Sequence, residues 1–348
     1  MMSKEKKTVT HVSELGEFGL ISKITSSFKA VNKSTLKGVG DDCAVIEKGG
    51  GRSFLITNDL LVEGIHFNLM YTPLKHLGYK AVTVNLSDIC AMNGTPEQIL
   101  VSVALSSKFS VEAIQEIYEG IQLACDRYKV DLVGGDTTSS MTGLMISVTA
   151  VGTARNEDIV YRSGAKVTDI ICVSGNLGGA YAGLQVLERE KELFSKQNIQ
   201  PDLTRYNYVL QRQLKPEART DIVKELSVAG IVPTSMIDIS DGLSSELMHV
   251  CSQSACGCRI IFEKLPVDHQ TSWTVDEFRI ASETAVLNGG EDYELLFTVP
   301  VSLHDKVSNI NDVSVIGYIT DASEGVNAIT PDNRLIALSA QGWNSFSK

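Results

Sequence analysis

No stretch of this 348-residue sequence is apolar for long enough to cross a membrane; Ile99–Leu105 is typical of the longest uncharged runs, and a span needs about 20 residues. Positive charge is also scarce. Lys+Arg number 31 against 42 Asp+Glu, a net charge of −11, which disfavours a nucleic-acid surface because such a surface needs a basic footprint. Histidine is sparse and dispersed, six in all, and no His cluster suggests a zinc hydrolase. The seven cysteines are scattered and odd in number. Cys256-Gly-Cys258 is the only close pair, and no second pair completes a zinc site, so the expectation is a set of reduced thiols. The start, MMSKEKKTVTHV, is basic without an apolar core, so no signal peptide is expected and the protein is placed in the cytoplasm. Several nucleotide signatures are missing as well. There is no GxxxxGK[ST] loop, and neither H-R-D nor D-F-G occurs, so P-loop and protein-kinase chemistry are excluded. Gly38-Val-Gly40 lacks the third glycine of the dinucleotide fingerprint and runs into two acids, which argues against NAD.

Hydrophobic residues make up 43% and charged residues 21%. That is enough apolar material for two cores, in keeping with about 150 residues per domain. Short β-rich runs alternate with amphipathic helical segments, an α/β signature. Strands are expected at Ser53–Thr57, Leu100–Leu105, Met145–Val151, Ile170–Val173, Met236–Ile239 and Arg259–Phe262. Helices are expected from about Pro73 to Met92, from an N-cap at Ser110, over Gly178–Glu188, and from Gly242. Residues 1–12 read as a polar tail and Lys191–Tyr208 as a surface excursion. Thr153–Asp158 suggests a boundary, giving domains 1–155 and 156–348.

What the sequence does hold is a series of aspartates flanked by glycines or small hydroxyl residues, expected at the ends of apolar strands. They occur in Gly38-Val-Gly-Asp-Asp42, Thr57-Asn-Asp59, Gly134-Gly-Asp136-Thr-Thr138 and Asp238-Ile-Ser-Asp241-Gly242. One such aspartate is ordinarily a turn or helix cap. Four sites together suit a hard cation, which takes carboxylate oxygens, and glycines let a phosphate approach the backbone. An acidic chain can then bind an anion such as ATP with divalent metal between the two sets of negative charge. Asp88 adds to the pattern. Eleven residues after Leu77, it falls on the same helical stripe as Leu77, Ala81 and Val84, where a carboxylate is expensive unless paired or metal-bound. His66, in VEGIHF, would face the same crevice, and the acidic Gly289-Gly-Glu-Asp-Tyr-Glu294 turn stands before an apolar strand where a phosphate or cationic ring could be met.

These strings resemble the thiamine-monophosphate kinase family of the aminoimidazole ribonucleotide synthetase-like superfamily. The resemblance is carried, in order along nearly the whole chain, by GEFGLI (Gly16–Ile21), GVGDDCAVI (Gly38–Ile46), LLVEGIHF (Leu60–Phe67) and YKAVTVNLSDICAMNGTP (Tyr79–Pro96). It continues through GGDTT (Gly134–Thr138), RSGA (Arg162–Ala165), DISDGL (Asp238–Leu243) and GGEDYELLFT (Gly289–Thr298). It implies a two-domain α/β (α+β) architecture whose N-terminal domain binds ATP and metal and dimerises through its β-sheet. The C-terminal domain would complete the active site of a homodimer. The implied activity is transfer of the γ-phosphoryl group of ATP to thiamine monophosphate, giving thiamine diphosphate. Implied Mg²⁺ ligands, for several ions, are Asp42, Thr57, Asn58, Asp59, Asp88, Asp136, Asp238 and Asp241. Implied ATP contacts are Tyr118, Gly135, Asp136, Arg162 and Ser240, and implied substrate contacts are His66, Glu291 and Trp343. Asn58 stands where the family usually has Thr.

Phosphoryl transfer asks mainly for positioning and charge neutralisation. The acceptor is itself a phosphate, ionised at neutral pH with a second pKa of about 6, so no general base is assigned; metal ligands and Arg162 supply charge stabilisation. The alternatives are another ATP-dependent synthetase of the superfamily and a non-catalytic nucleotide- or metal-binding protein. Selenophosphate synthetase carries a reactive Cys or selenocysteine near its start, and no Cys precedes Cys43 here. The hydrogenase-maturation relative closes on a functional cysteine, whereas this sequence closes on Asn344-Ser-Phe-Ser-Lys348.

Overall fold

The computed structural model describes residues 11–197 and 200–339. Helix α1 (Val12–Thr25) leads into a first sheet built from β1 (Thr35–Lys37), β2 (Ala44–Gly49), β3 (Arg52–Val62), β4 (Thr95–Leu105), β5 (Asp131–Ser139) and β6 (Met145–Arg155). Their order is β1-β2-β3-β6-β4-β5. All neighbours are antiparallel except β4 and β5, which are parallel. The crossovers are α2 (Leu74–Ala91), between β3 and β4, and α3 (Val111–Tyr128), between β4 and β5. The second sheet holds β7 (Ile170–Ser174), β8 (Ser235–Asp238), β9 (Gly257–Ile261), β10 (Leu295–Val299), β11 (Val313–Thr320), β12 (Val326–Ile329) and β13 (Leu335–Ala337), in the order β13-β12-β9-β11-β7-β10-β8. Helices α4 (Gly179–Gln197), α5 (Asn207–Leu214), α6 (Thr220–Val228) and α7 (Leu243–Ser254) fall between β7 and β9.

Each strand and helix expected from the pattern is present, with ends shifted by a few residues or, for the strand at Ser53–Thr57 and the helix from Gly178, extended. Ser110 caps α3, its hydroxyl accepting from the Ala113 N–H, which satisfies one of the donors a helix start leaves open. One expectation fails. The segment from Lys191 is not an excursion: α4 runs on to Gln197, supported by the ion pairs Glu188–Lys191 and Glu192–Lys196. Such pairs at helical spacing favour helix without any apolar periodicity. Tyr206, placed in the same excursion, is fully buried. Of the expected polar tail, residues 1–10 lie outside the described residues and Val12 opens α1.

Helix α2 organises the molecule. It packs on β3, β4 and β6 and also reaches β8 of the second sheet. From Leu77 to Leu86 every residue is buried, because a helix held between two layers is covered on all sides. Its contact with α3 is close enough to need glycine on both helices. A Cβ on Gly78 would lie 1.9 Å from the Ile117 carbonyl oxygen, and one on Gly120 would lie 1.9 Å from that of Lys75. The largest apolar cluster joins Val45, Leu77 and Ile99 to Met236 and Phe297 of the second sheet. Packing is therefore continuous across the position where the sequence suggests a boundary.

Candidate active site

Four residues of α2 point polar groups out of this buried helix. Ser87 donates to Asp238 Oδ2 at 2.6 Å, Asp88 Oδ2 accepts from Thr57 Oγ1 at 2.5 Å, and Asn85 Oδ1 accepts from the Asp59 N–H at 2.9 Å. The fourth, Lys80, pairs with Glu291 at 2.7 Å. The helix thus gathers side chains from β3, from the end of β8 and from the loop before β10 into one crevice.

At its centre, carboxylate oxygens of Asp42, Asp88 and Asp238 all lie within 4.8 Å of one another. Among the described residues the cation beside Asp42 is Arg162. Arg162 donates through Nε and Nη2 to Asp42 Oδ1, at 3.0 and 2.5 Å, and its backbone N–H donates to Asp41 Oδ1. Asp42 Oδ2 is buried without a hydrogen-bond partner among the described residues. Burial first, opposed by Arg162 and reinforced by Asp238, pushes Asp42 up to about 7. Asp238 rises to about 6 through burial, partly offset by the Ser87 hydroxyl and Arg162. Asp88 is driven well above the ordinary carboxylate range by burial and by Asp59, Asp238 and Asp42. Asp59 and Asp241 rise to about 6, again chiefly through burial. Buried, all-oxygen, under-neutralised groups of this kind fit a hard divalent cation, whose charge would replace the protons that burial otherwise favours.

The rest of the predicted set divides. Thr57 joins the cluster through Asp88. Asp59 and Asp241 border it, and Ser240 lies in the Asp238–Gly242 loop, whose Ser240 and Asp241 N–H groups donate to buried Glu246. Asn58 is turned away: its amide donates across the sheet to Ser147, Val148 and Thr149, because adjacent strand residues face opposite sides. Asp136 and Gly135 stand on exposed edge strand β5, and Tyr118 packs on the first core from α3. None of these three belongs to the carboxylate cluster. Asp59 and Asp136 also lie inside strands, not at strand ends as the sequence suggests. Trp343 lies outside the described residues. All seven cysteines are free thiols.

On the flank, His66 Nδ1 accepts from the Val62 N–H at 3.0 Å. Burial lowers its pKa, so the ring is neutral with its proton on Nε2. Glu291 has its backbone in the left-handed region at φ 58. Lys80, Asn85, Ser87, Gln213 and Glu246 were missed by sequence reasoning. For Asn85 a signal existed: it lies three residues before Asp88 on the same stripe, and reads there as a second polar group on a buried face.

The description AIR synthase related protein, N-terminal domain, matches residues 40–154. Over 339 residues the chain is 34% identical to thiamine-monophosphate kinase of Buchnera aphidicola subsp. Schizaphis graminum, covering 96% of this chain and 99% of that protein. It is likewise 34% identical over 335 residues to thiamine-monophosphate kinase of Aquifex aeolicus, with 96% and 99% covered. The solved structure of AaThiL complexed with AMPPCP and TMP superposes with a TM-score of 0.83 at 33% identity, covering 97% of this chain and 99% of that one. With matched length, identity and fold, the chain belongs to the thiamine-monophosphate kinase family.

Proposed function

We propose that this protein transfers the terminal phosphoryl group of ATP directly to the phosphate of thiamine monophosphate, releasing ADP and thiamine diphosphate. The observation that carries the reading is the convergence of Asp42, Asp88 and Asp238 beside Arg162, in a chain aligned almost end to end with thiamine-monophosphate kinases. Asp42, Thr57, Asp59, Asp88, Asp238 and Asp241 would hold Mg²⁺, which when bound neutralises phosphate oxygens. Arg162 and Ser240 border the nucleotide, with Arg162 already oriented by Asp41 and Asp42. His66 and Glu291 face the acceptor, His66 offering its Nε2–H as a neutral donor. No base is needed, since the attacking oxygen belongs to an ionised phosphate, and no framed nucleophile provides for a phosphoenzyme.

The N-terminal part to about residue 155 carries the nucleotide and metal residues, and the remainder supplies Arg162, the Asp238–Gly242 loop and Glu291. The working form is a cytoplasmic homodimer joined through the outer face of the first sheet, where Leu60 and Leu100 are exposed; Tyr118, Gly135 and Asp136 serve ATP in that assembly. Among the described residues no helix is long and apolar enough to cross a membrane. Incubation with ATP, Mg²⁺ and thiamine monophosphate, followed by chromatography, should yield thiamine diphosphate and an equal amount of ADP. ADP formed without the acceptor, or ³²P retained on the protein and chased into product, would reject direct transfer. A monomer by light scattering would reject the assembly.

A further inference from the structure

Lys80 is a buried lysine in the interior of a helix, with a side chain only 4% exposed. An ammonium group in that position needs a counter-charge and further acceptors. Both are present: Nζ lies 2.7 Å from Glu291 Oε1 and donates to the Gln213 carbonyl oxygen at 3.2 Å. The second Glu291 oxygen, Oε2, accepts from Gln213 Nε2 at 2.7 Å. Both oxygens of Glu291 are therefore fixed, one by α2 and one by α5. Its backbone is fixed as well, because its N–H donates to the Ser240 carbonyl at 2.7 Å. The partners are buried, yet Glu291 keeps 28% of its side chain exposed, and His66 senses the charges of both Glu291 and Lys80.

We propose that Lys80, assisted by Gln213, is a positioning residue for the acceptor substrate: it orients the Glu291 carboxylate and cancels its charge. The inference rests on the reading of Glu291 as an acceptor contact. It follows from charge balance. An unpaired Glu291 would add negative charge beside Asp241 and close to an incoming phosphate, repelling the molecule it is to hold, whereas the ion pair presents a net-neutral, directional acceptor. The ATP side has its own cation, Arg162, so Lys80 should govern one substrate and not the other.

A double-mutant cycle on the full-length protein tests this, using Lys80→Met, Glu291→Gln and both together, with KM for each substrate, kcat and Tm measured. Lys80→Met should raise KM for thiamine monophosphate by about tenfold or more while KM for ATP stays within about twofold. Because Lys80 acts through Glu291, the double variant should be no worse for thiamine monophosphate than Glu291→Gln alone. Fold-changes that multiply, an equal rise in KM for ATP, or a lower Tm with both KM values unchanged would overturn the inference. Should Lys80→Met not fold, Gln213→Met decides: a several-fold rise confined to thiamine monophosphate is expected, and an unchanged KM rejects it. A wild-type protein that makes no thiamine diphosphate removes the activity and this inference together. An active wild type with an unaffected Lys80→Met removes this inference alone.

Discussion

Asp42 and Glu294 are both buried carboxylates beside arginine, yet their surroundings are built on opposite charge balances. Glu294, only 1% exposed, meets Arg212 at 2.8 Å and Arg219 at 2.5 Å, and accepts from Ser174 Oγ as well. Two guanidinium groups thus meet this one carboxylate, while Arg212 also faces buried Asp292 at 3.8 Å and Arg219 also pairs with Asp221 and Asp312. Around Asp42 the ratio is reversed: Asp42, Asp88 and Asp238 converge on one another, and among the described residues Arg162 is the cation that meets Asp42 and acts on Asp238. The first arrangement surrounds its carboxylate with cations and ties β7 and the start of β10 to the segment leading into α6. The second leaves an oxygen of Asp42 without a partner among the described residues and three carboxyls raised first by burial and then by neighbouring aspartates, Asp59 included. Burial of charge is common to both, so burial alone does not mark function; the unfilled deficit of positive charge does.

The sharpest separation should come from neutralising one carboxylate in each group. Asp88→Asn should lower turnover by roughly a thousandfold with Tm unchanged or raised, since it removes repulsion. Glu294→Gln should instead destabilise the fold by about 3 kcal/mol, because buried arginine charge loses its partner. Parallel thermal scans and kinetics check both, and a stable, active Glu294→Gln or a Tm-lowering Asp88→Asn would erase the distinction.

Next in size is the response to ligands. Mg²⁺ with a nucleotide should raise Tm by more than the sum of the separate shifts, amounting to about 2.7 kcal/mol at a hundredfold excess over Kd. Additive shifts would mean that the carboxylates and the nucleotide do not share one site. The pH response should be smaller. Asp42 lies at about 7 and Asp59 and Asp238 at about 6 in the folded protein, above the ordinary value of 3.8. The folded state therefore binds protons more tightly, so these groups destabilise the metal-free protein in full above about pH 7, and the penalty is relieved progressively as pH falls from there towards the ordinary value of 3.8. In EDTA, Tm should rise on going from about pH 8 to about pH 6, and the Mg²⁺-induced gain should shrink over the same interval as protons compete. The smallest effect belongs to Ser87→Ala, which removes one hydrogen bond to Asp238: about 1 kcal/mol in stability and a loss of activity far below that of Asp88→Asn.

Much of this arrangement was legible in the sequence because its elements obey local rules. The apolar run of β6, the Ser110 cap and the Asp238-Ile-Ser-Asp241 turn each announce themselves within a few residues. Asp88 was legible for a different reason, as a charge on a face that should be apolar. The pairings were not legible. Nothing local joins Lys80 to Glu291 or Ser87 to Asp238, since each pair is made by the folding of the second sheet onto α2. The outward turn of Asn58 was hidden by its neighbours: the Thr57-Asn-Asp59 run reads as one ligand set until strand alternation sends its middle member to the other face. The continuation of α4 past Glu188 was missed because ion pairs, not apolar spacing, sustain it.

The closeness of α2 and α3 at Gly78 and Gly120 has a consequence for how this sequence can vary in length. With backbone against backbone, the axial position of α2 is set at its first turns, and everything downstream is placed by counting residues. Each residue advances the helix by about 100° and 1.5 Å, so Lys80, Asn85, Ser87 and Asp88 are addressed by phase. One residue inserted after Lys80 would leave that lysine on Glu291 while swinging Asn85, Ser87 and Asp88 more than a quarter-turn away from β3 and β8. Substitutions within this helix can be graded in their effects, but a change of length by one cannot; insertions and deletions belong in the loops on either side.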